Sequence, residues 1–442
     1  MLFGVPRLRK NLIALAVLML TSAWLVSCGG YSSTSQGSSH LTFRVFVSNP
    51  LHASGSGTTF PALEIVDATK DVLSPYGVSL SGVMLDAGLM TVSPKKDLTL
   101  VVSPSSDRIA VVNNATEAVV GAVILPGSIE SVLMAADDTT GFVAIPNASV
   151  PGQPAGSVGE LNVATTTLKA IIPVPAAHYL VPSPSGNQIL IFSDNSNSVT
   201  LLFPGLIGAN SQSNSQVPCS TAPVAACAVS GFDRPVWGVF NSSGTTAYIF
   251  NCGVECGGAG NASIMPLDLA TQTPGTPIPL VGGGLTGGAT FGMLAGNLLY
   301  VAGTPPSTAC GTGTAAQNCG VLSVVDVTSG LVTAAQLIPD GYHNRMQMGA
   351  NGQVFVGSRT CTNVVSAGET RGCLAIFDTI QSKVTIPPQN GDVTGIEPIP
   401  NRHVVYVCQG GGLQIYDTTT DKLQATQVNV VGQAIDVKVV DF

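Results

Sequence analysis

An all-β fold is what this sequence predicts, and three observations predict it. Beyond the first 27 residues the apolar residues fall into short runs of four to eight, β-branched and bounded by turn residues, which is the strand pattern. Glycine (50) and proline (29) are too frequent and too evenly spread to leave room for long helices. No 3.6-residue periodicity persists past the N-terminal segment. The hydrophobic fraction of 45% supplies a core and excludes global disorder. A net charge of −8 disfavours a phosphate-backbone partner, so no nucleic acid is expected.

The runs repeat as a unit: an apolar run, a tight polar turn, a second run, a loop, a third run often ending in Asp, a Thr-rich turn, then a fourth run. One copy spans Gly88 to Leu125, with its first turn at Pro94-Lys95-Lys96-Asp97. Another spans Val393 to Val430, with turns at Pro400-Asn401-Arg402-His403 and Thr418-Thr419-Thr420-Asp421. A period of about 40–50 with four strands per unit marks a β-propeller. First strands begin near Gly88, Ile129, Ala177, Val236, Gly288, His343, Val393 and Gln433. The last of these has no second strand after it, and the run from Leu41 to Ser48 is a second strand without a first. Pairing the two closes the ring and removes its exposed edges. The count is eight blades, or seven if one unit has been split wrongly, in a single domain over residues 41–442.

The N-terminal segment reads as an export signal over residues 1–27. Arg7, Arg9 and Lys10 precede an apolar run over residues 12–20, too short to span a bilayer. Leu25-Val26-Ser27-Cys28 resembles the lipobox of bacterial lipoproteins, which implies lipidation of Cys28 and durable membrane attachment. Gly29 follows that cysteine, which in the Gram-negative pattern implies the outer membrane. Residues 28–40 are Ser/Gly-rich and are expected to form a flexible tether.

Cysteine usage agrees with an exported, oxidising setting. Eight cysteines fall into close pairs: Cys219/Cys227, Cys252/Cys256, Cys310/Cys319 and Cys361/Cys373. Sequence leaves the connectivity open, and neighbour pairing is the expectation. The spacings suit no zinc module. Cys408, inside the run Val404-Val405-Tyr406-Val407, is expected to be a buried thiol.

Pro182-Ser183-Pro184-Ser185-Gly186-Asn187, with Ile189 to Phe192 and Ser196 to Thr200, resembles the YVTN-type β-propeller repeat. Ser103 to Gly127 and Asn401 to Leu423 resemble it more loosely. The resemblance implies a propeller of the bacterial surface or periplasm, more distantly similar to lactonase-type propellers. It implies little about chemistry, because function lies in sites rather than in folds.

Loop lengths point to one face. Turns joining first to second strands are tight, and those joining third to fourth strands are read as short too. Second-to-third loops are long: residues 50–61, 147–157, 252–261, 304–319 and 360–372. In a propeller they share a face with the blade-to-blade connections, so this face is expected to bind a partner. Scarce charged and aromatic side chains gather at first-strand starts on the same face: Glu130, His178, Arg234, Trp237, Tyr342, His343, Asn344, Arg345, Asp392 and Asp436. Three readings follow. These groups hydrogen-bond trapped water and neighbouring blades, or hold a small ligand, or catalyse. A catalytic set would use His343 and Arg345 with Glu130 or Asp436, since a histidine beside an arginine polarises a carbonyl or clasps a carboxylate.

Other motifs lead nowhere. Gly282-Gly283-Gly284-Leu285-Thr286-Gly287 matches G-x-G-x-x-G as text but opens no helix, so it is read as a turn. No hydrolase or metalloprotease motif is present, and the reading assigns no metal and no cofactor. The expectation is a lipid-anchored envelope propeller that binds an envelope protein, a glycan or a small molecule without catalysis. The alternative is a lactonase-like hydrolase or lyase.

Overall fold

The computed structural model describes residues 38–441 apart from 54–56, 209–216, 220–223, 307–318, 363 and 367–368. The predicted signal segment and Cys28 lie outside the described residues, as does all but the end of the tether.

Eight four-stranded antiparallel sheets follow one another along the chain. Blade 1 is composite: its innermost strand is Asp436–Val439, from the C-terminus, and its second, third and fourth strands are Arg44–Ala53, Thr59–Asp67 and Val72–Ser79. The closing register pairs Val45 with Val439 and Ser48 with Asp436. The innermost strands of blades 2 to 8 are Met90–Val92, Ser131–Met134, Ala177–Pro182, Pro235–Phe240, Phe291–Ala295, Tyr342–Met348 and Val393–Pro398. These starts agree with the sequence reading to within three residues, and the count is eight.

The core explains the nearly continuous apolar runs. A propeller strand is covered on both faces by neighbouring blades, so both of its faces bury apolar side chains. Eight hydrophobic clusters occupy the eight blade-to-blade interfaces. One lies between blades 1 and 2, with Phe46, Leu63, Ile65 and Val101 fully buried. Cys408 is buried and unpaired in the interface between blades 8 and 1, as expected.

Turn chemistry explains the repeated Asp and Thr. In seven blades the third strand ends in Asp67, Asn113, Asn162, Asp268, Asp326, Asp378 or Asp417, whose side chain accepts backbone N–H groups two or three residues on. Four residues after each comes a left-handed residue: Asp71, Glu117, Thr166, Gln272, Gly330, Ser382 or Asp421. Such Asx turns reverse the chain tightly. First-to-second turns carry their own left-handed residue, at Lys96, Asp138, Gly186, Gly244, Gly296, Gly352 and Asn401. The predicted G-x-G-x-x-G turn is a small hairpin, Val281–Gly282 against Leu285–Thr286. Its two turn residues, Gly283 and Gly284, have φ of 58° and 80°, which favours glycine at both.

Two expectations about loops need correction. Blade 4 joins its third strand, Ser198–Leu202, to its fourth, Ala226–Ser230, through the long segment 203–225, so third-to-fourth turns are not uniformly short. Cys219 in that segment bonds to Cys227 on the fourth strand. In blade 1, much of 50–61 is strand rather than loop, because Ala53 still pairs with Thr59. Cys252–Cys256 and Cys361–Cys373 are bonded as expected. Cys319 is also disulfide-bonded, and its expected partner Cys310 lies outside the described residues.

Alternation of antiparallel strands places the second-to-third loops and the blade-to-blade connections on one face. The tight turns occupy the other. Arg44, where the chain enters the ring, lies on the tight-turn face.

Candidate functional site

The innermost strands of the adjacent blades 4 and 5 begin on the long-loop face, and together with Tyr342, which reaches in from blade 7, they frame a cavity of about 310 Å³. His178 and Tyr179 come from blade 4, Arg234 and Pro235 from blade 5, and Tyr342 from blade 7. The second-to-third turn of blade 4 adds Asp194, and the disulfide-closed turn of blade 5 adds Cys256.

His178 is held from one side. Its Nδ1 donates to Asp194 Oδ1 at 3.0 Å, and its Nε2 lies 4.0 Å from Glu130 Oε2. Burial works against the charged imidazole, yet the Asp194 hydrogen bond and the charges of Asp194 and Glu130 prevail and raise its pKa above the usual value. The Asp194 side chain is 53% exposed, and only its Oδ1 is engaged by the imidazole.

Tyr179 and Tyr342 meet through their hydroxyls at 3.0 Å. Burial pushes both phenols to higher pKa, so both stay neutral. Trp237 stands edge-on to Tyr179 with ring centroids 5.4 Å apart, packs on Phe291 at 4.4 Å, and donates Nε1 to the Gly292 carbonyl at 3.2 Å. The tryptophan therefore backs the tyrosine wall.

Arg234 supplies a positive charge that no carboxylate among the described residues pairs. Its neighbour Asp233 is turned away, accepting the backbone N–H of Gly260 at 2.6 Å and of Ala259 at 3.1 Å. Arg234 itself is left-handed, with φ of 54°, a strained backbone for a non-glycine residue. Asn197 Oδ1 accepts its N–H at 3.2 Å, and its Nε donates to the Gly257 carbonyl at 3.3 Å. Strain of this kind persists where the surroundings over-determine it, often at ligand sites.

The remaining predicted residues do not join this cavity. His343 is buried, with Nε2 on the Pro339 carbonyl at 3.0 Å; burial pushes its pKa down to about 4. Tyr342 and His343 face opposite sides of the strand, which sends Tyr342 to the mouth and His343 into the wall, and a bulge between His343 and Arg345 breaks the alternation beyond them. Asn344 is buried as well. Arg345 donates Nε to the Thr394 carbonyl at 2.8 Å, and burial lowers its pKa while Asp436 opposes that. Asp436 is structural: its Oδ2 accepts the N–H of Met90 at 2.8 Å, tying the closing strand to blade 2. Lys438 lies between Asp436 and Glu397, at 3.4 and 3.7 Å. Asp392 accepts the N–H of Thr360 at 2.8 Å, steadying the blade 7 loop. The catalytic set His343, Arg345, Glu130 and Asp436 is therefore not assembled: His343 is buried on the Pro339 carbonyl, and Arg345 and Asp436 are bonded to backbone groups.

Sequence reasoning missed Asp194, although a signal was present. The tight turn at 183–188 folds the second strand back on the first and pairs Ala177 with Ser193, which brings residue 194 beside residue 178. It also missed Glu255, whose carboxyl is buried between blades 5 and 6, accepts the N–H of Thr304 at 3.0 Å, and is pushed up to about 7 by burial. Among the described residues no group of three or more His, Cys, Asp or Glu side chains is arranged to hold a metal ion.

No family model and no curated protein matches the sequence. Solved structures do resemble it in shape. The dihydro-heme d1 dehydrogenase NirN in complex with DHE superposes with a TM-score of 0.60 and 13% identity, covering 90% of this chain and 75% of its own. A functionally unknown protein from Desulfotomaculum acetoxidans DSM 771 superposes with a TM-score of 0.50 and 11% identity over 90% and 99%. Hydrazine synthase from Kuenenia stuttgartiensis gives 0.42 and 13% over 74% and 76%. The first two likenesses show the β-propeller fold and nothing of chemistry.

Proposed function

We propose that this protein is a non-catalytic binding propeller of the cell envelope, anchored to the outer membrane through a lipidated Cys28 and meeting a small ligand at the mouth of its long-loop face. The observation that carries the reading is the cavity of about 310 Å³ containing Arg234, a cation whose neighbouring carboxylate is committed elsewhere. Pockets of about 300 Å³ and more, with apolar walls and a few placed polar groups, suit small molecules. The likeness to the YVTN-type repeat and to lipoprotein signals supports the location.

Two experiments test this. Replacing Cys28 by Ser is expected to move the protein from the membrane fraction to the soluble one; unchanged fractionation contradicts the anchor. A thermal-shift screen of small metabolites is expected to find stabilising ligands whose effect disappears in Arg234→Met. Hits insensitive to that change contradict the site.

A hydrolase or lyase reading now rests on a different residue. His178, oriented by Asp194, has the arrangement of a general base. Turnover of a lactone panel that is abolished in Asp194→Asn supports it, and no turnover by the wild-type protein removes it.

A further inference from the structure

The cavity's chemistry narrows its ligand, on the reading that the mouth is a binding site. Three features coincide there. The first is charge. Asp194 already accepts a hydrogen bond from His178 at 3.0 Å, with Glu130 4.0 Å from the ring's other nitrogen. Among the described residues Arg234 makes no ion pair, and its neighbour Asp233 gives its carboxylate to backbone N–H groups. A cavity with one free guanidinium takes a monoanion, and the guanidinium fork suits a carboxylate.

The second feature is the wall. Tyr179 and Tyr342 line the cavity, and Trp237 packs edge-on behind Tyr179 at 5.4 Å. Such a wall favours a ligand with a flat, C–H-rich face. The third feature is acceptors. Asp194 keeps an oxygen beyond its histidine bond, and the paired tyrosine hydroxyls at 3.0 Å exchange hydrogen bonds readily. These groups match hydroxyls better than a second charge.

We infer that the mouth binds an acidic sugar, a hexuronate residue whose carboxylate sits on Arg234, whose ring lies along the Tyr179 and Tyr342 wall, and whose hydroxyls donate to Asp194. An amino-acid zwitterion fits less well, since its ammonium would meet a carboxylate already hydrogen-bonded by His178. A neutral sugar leaves Arg234 desolvated and unpaired, a cost of order 10-fold or more in affinity.

Calorimetric titration of the protein lacking residues 1–27 tests this with galacturonate, glucuronate, galactose and acetate. At least one uronate is expected to bind at least 10-fold more tightly than galactose and than acetate. Arg234→Met is expected to lose that binding, with Arg234→Lys retaining part of it, both variants first shown to be folded by circular dichroism. Asp194→Asn is expected to weaken the uronate several-fold and leave acetate unchanged. Equal affinity for uronate and galactose, or uronate binding untouched in Arg234→Met, overturns the inference. If other compounds from the screen bind through Arg234 while no uronate does, the sugar assignment falls and the binding role stands. If no compound binds at all, the binding role falls with it.

Discussion

Arg44 and Asp441, 397 residues apart in sequence, form a two-point ion pair, with Nε to Oδ2 at 2.8 Å and Nη2 to Oδ1 at 2.7 Å. Nη1 of the same guanidinium reaches Glu117 at 2.8 Å and the Asn114 carbonyl at 2.6 Å in blade 2. On the other flank of blade 1, Asp71 binds Arg402 and Tyr406 of blade 8. The composite blade is thus fastened from both sides, which a ring needs most where it is joined by no covalent link.

Removing one partner of this largely buried pair leaves an uncompensated charge. Asp441→Asn or Arg44→Met is expected to cost about 3 kcal/mol in chemical denaturation. Deleting residues 436–442 strips blade 1 of its inner strand and is expected to abolish cooperative unfolding. A loss below about 0.5 kcal/mol for both point variants contradicts a closing role.

His343 sets one limb of the pH profile. Burial lowers its pKa to about 4 in the folded protein, against 6.5 for the free group. The unfolded chain therefore takes up this proton first, and folding is penalised as pH falls from 6.5 toward 4. The loss amounts to about 3 kcal/mol between pH 7.5 and pH 4, at about 1.4 kcal/mol per pKa unit. His343→Phe is expected to flatten that limb of the stability-against-pH curve, and an unchanged slope contradicts the burial argument.

Glu255 acts with the opposite sign. Its folded pKa is pushed up to about 7, against 4.5 when free. The unfolded chain ionises first, so stability is lost as pH rises from 4.5 to 7. Glu255→Gln is expected to stabilise the fold by about 2–3 kcal/mol at pH 8 and by almost nothing at pH 4.5. Equal effects at both pH values contradict it.

The Cys252–Cys256 bond bears on the cavity as well as on stability. Cys256 lines the cavity, and the next residue's carbonyl receives Arg234 Nε. Replacing both cysteines by serine is expected to cost about 2 kcal/mol on the chain-entropy account and to weaken ligand binding. An unchanged dissociation constant shows that Arg234 needs no such support.

How far the sequence foretold all this depends on what each feature needs. Blade number, strand order and ring closure were legible because each blade writes its own turn chemistry, as in Asp417 and Thr419, and because the unmatched strands at the two ends stand out. Disulfides between near neighbours were legible for the same local reason. The site was only half legible. His178, Arg234 and Tyr342 stand at strand starts and were found by position. His343 was misplaced because adjacent residues on a strand face opposite ways, and position along the chain does not say which one faces the mouth. The freedom of Arg234 was invisible, since an adjacent Asp233 reads as its natural partner until the 257–260 turn is seen to claim that carboxylate.

Trp237 permits the most direct test of the central claim, that the mouth of blades 4, 5 and 7 is where a ligand binds. It is the only tryptophan left once residues 1–27 are removed, and it stands 5.4 Å from Tyr179 in the cavity wall. Titrating ligand against its fluorescence is expected to give a saturable change in the wild-type protein and none in Arg234→Met. A saturable change of equal size and midpoint in both proteins contradicts the claim.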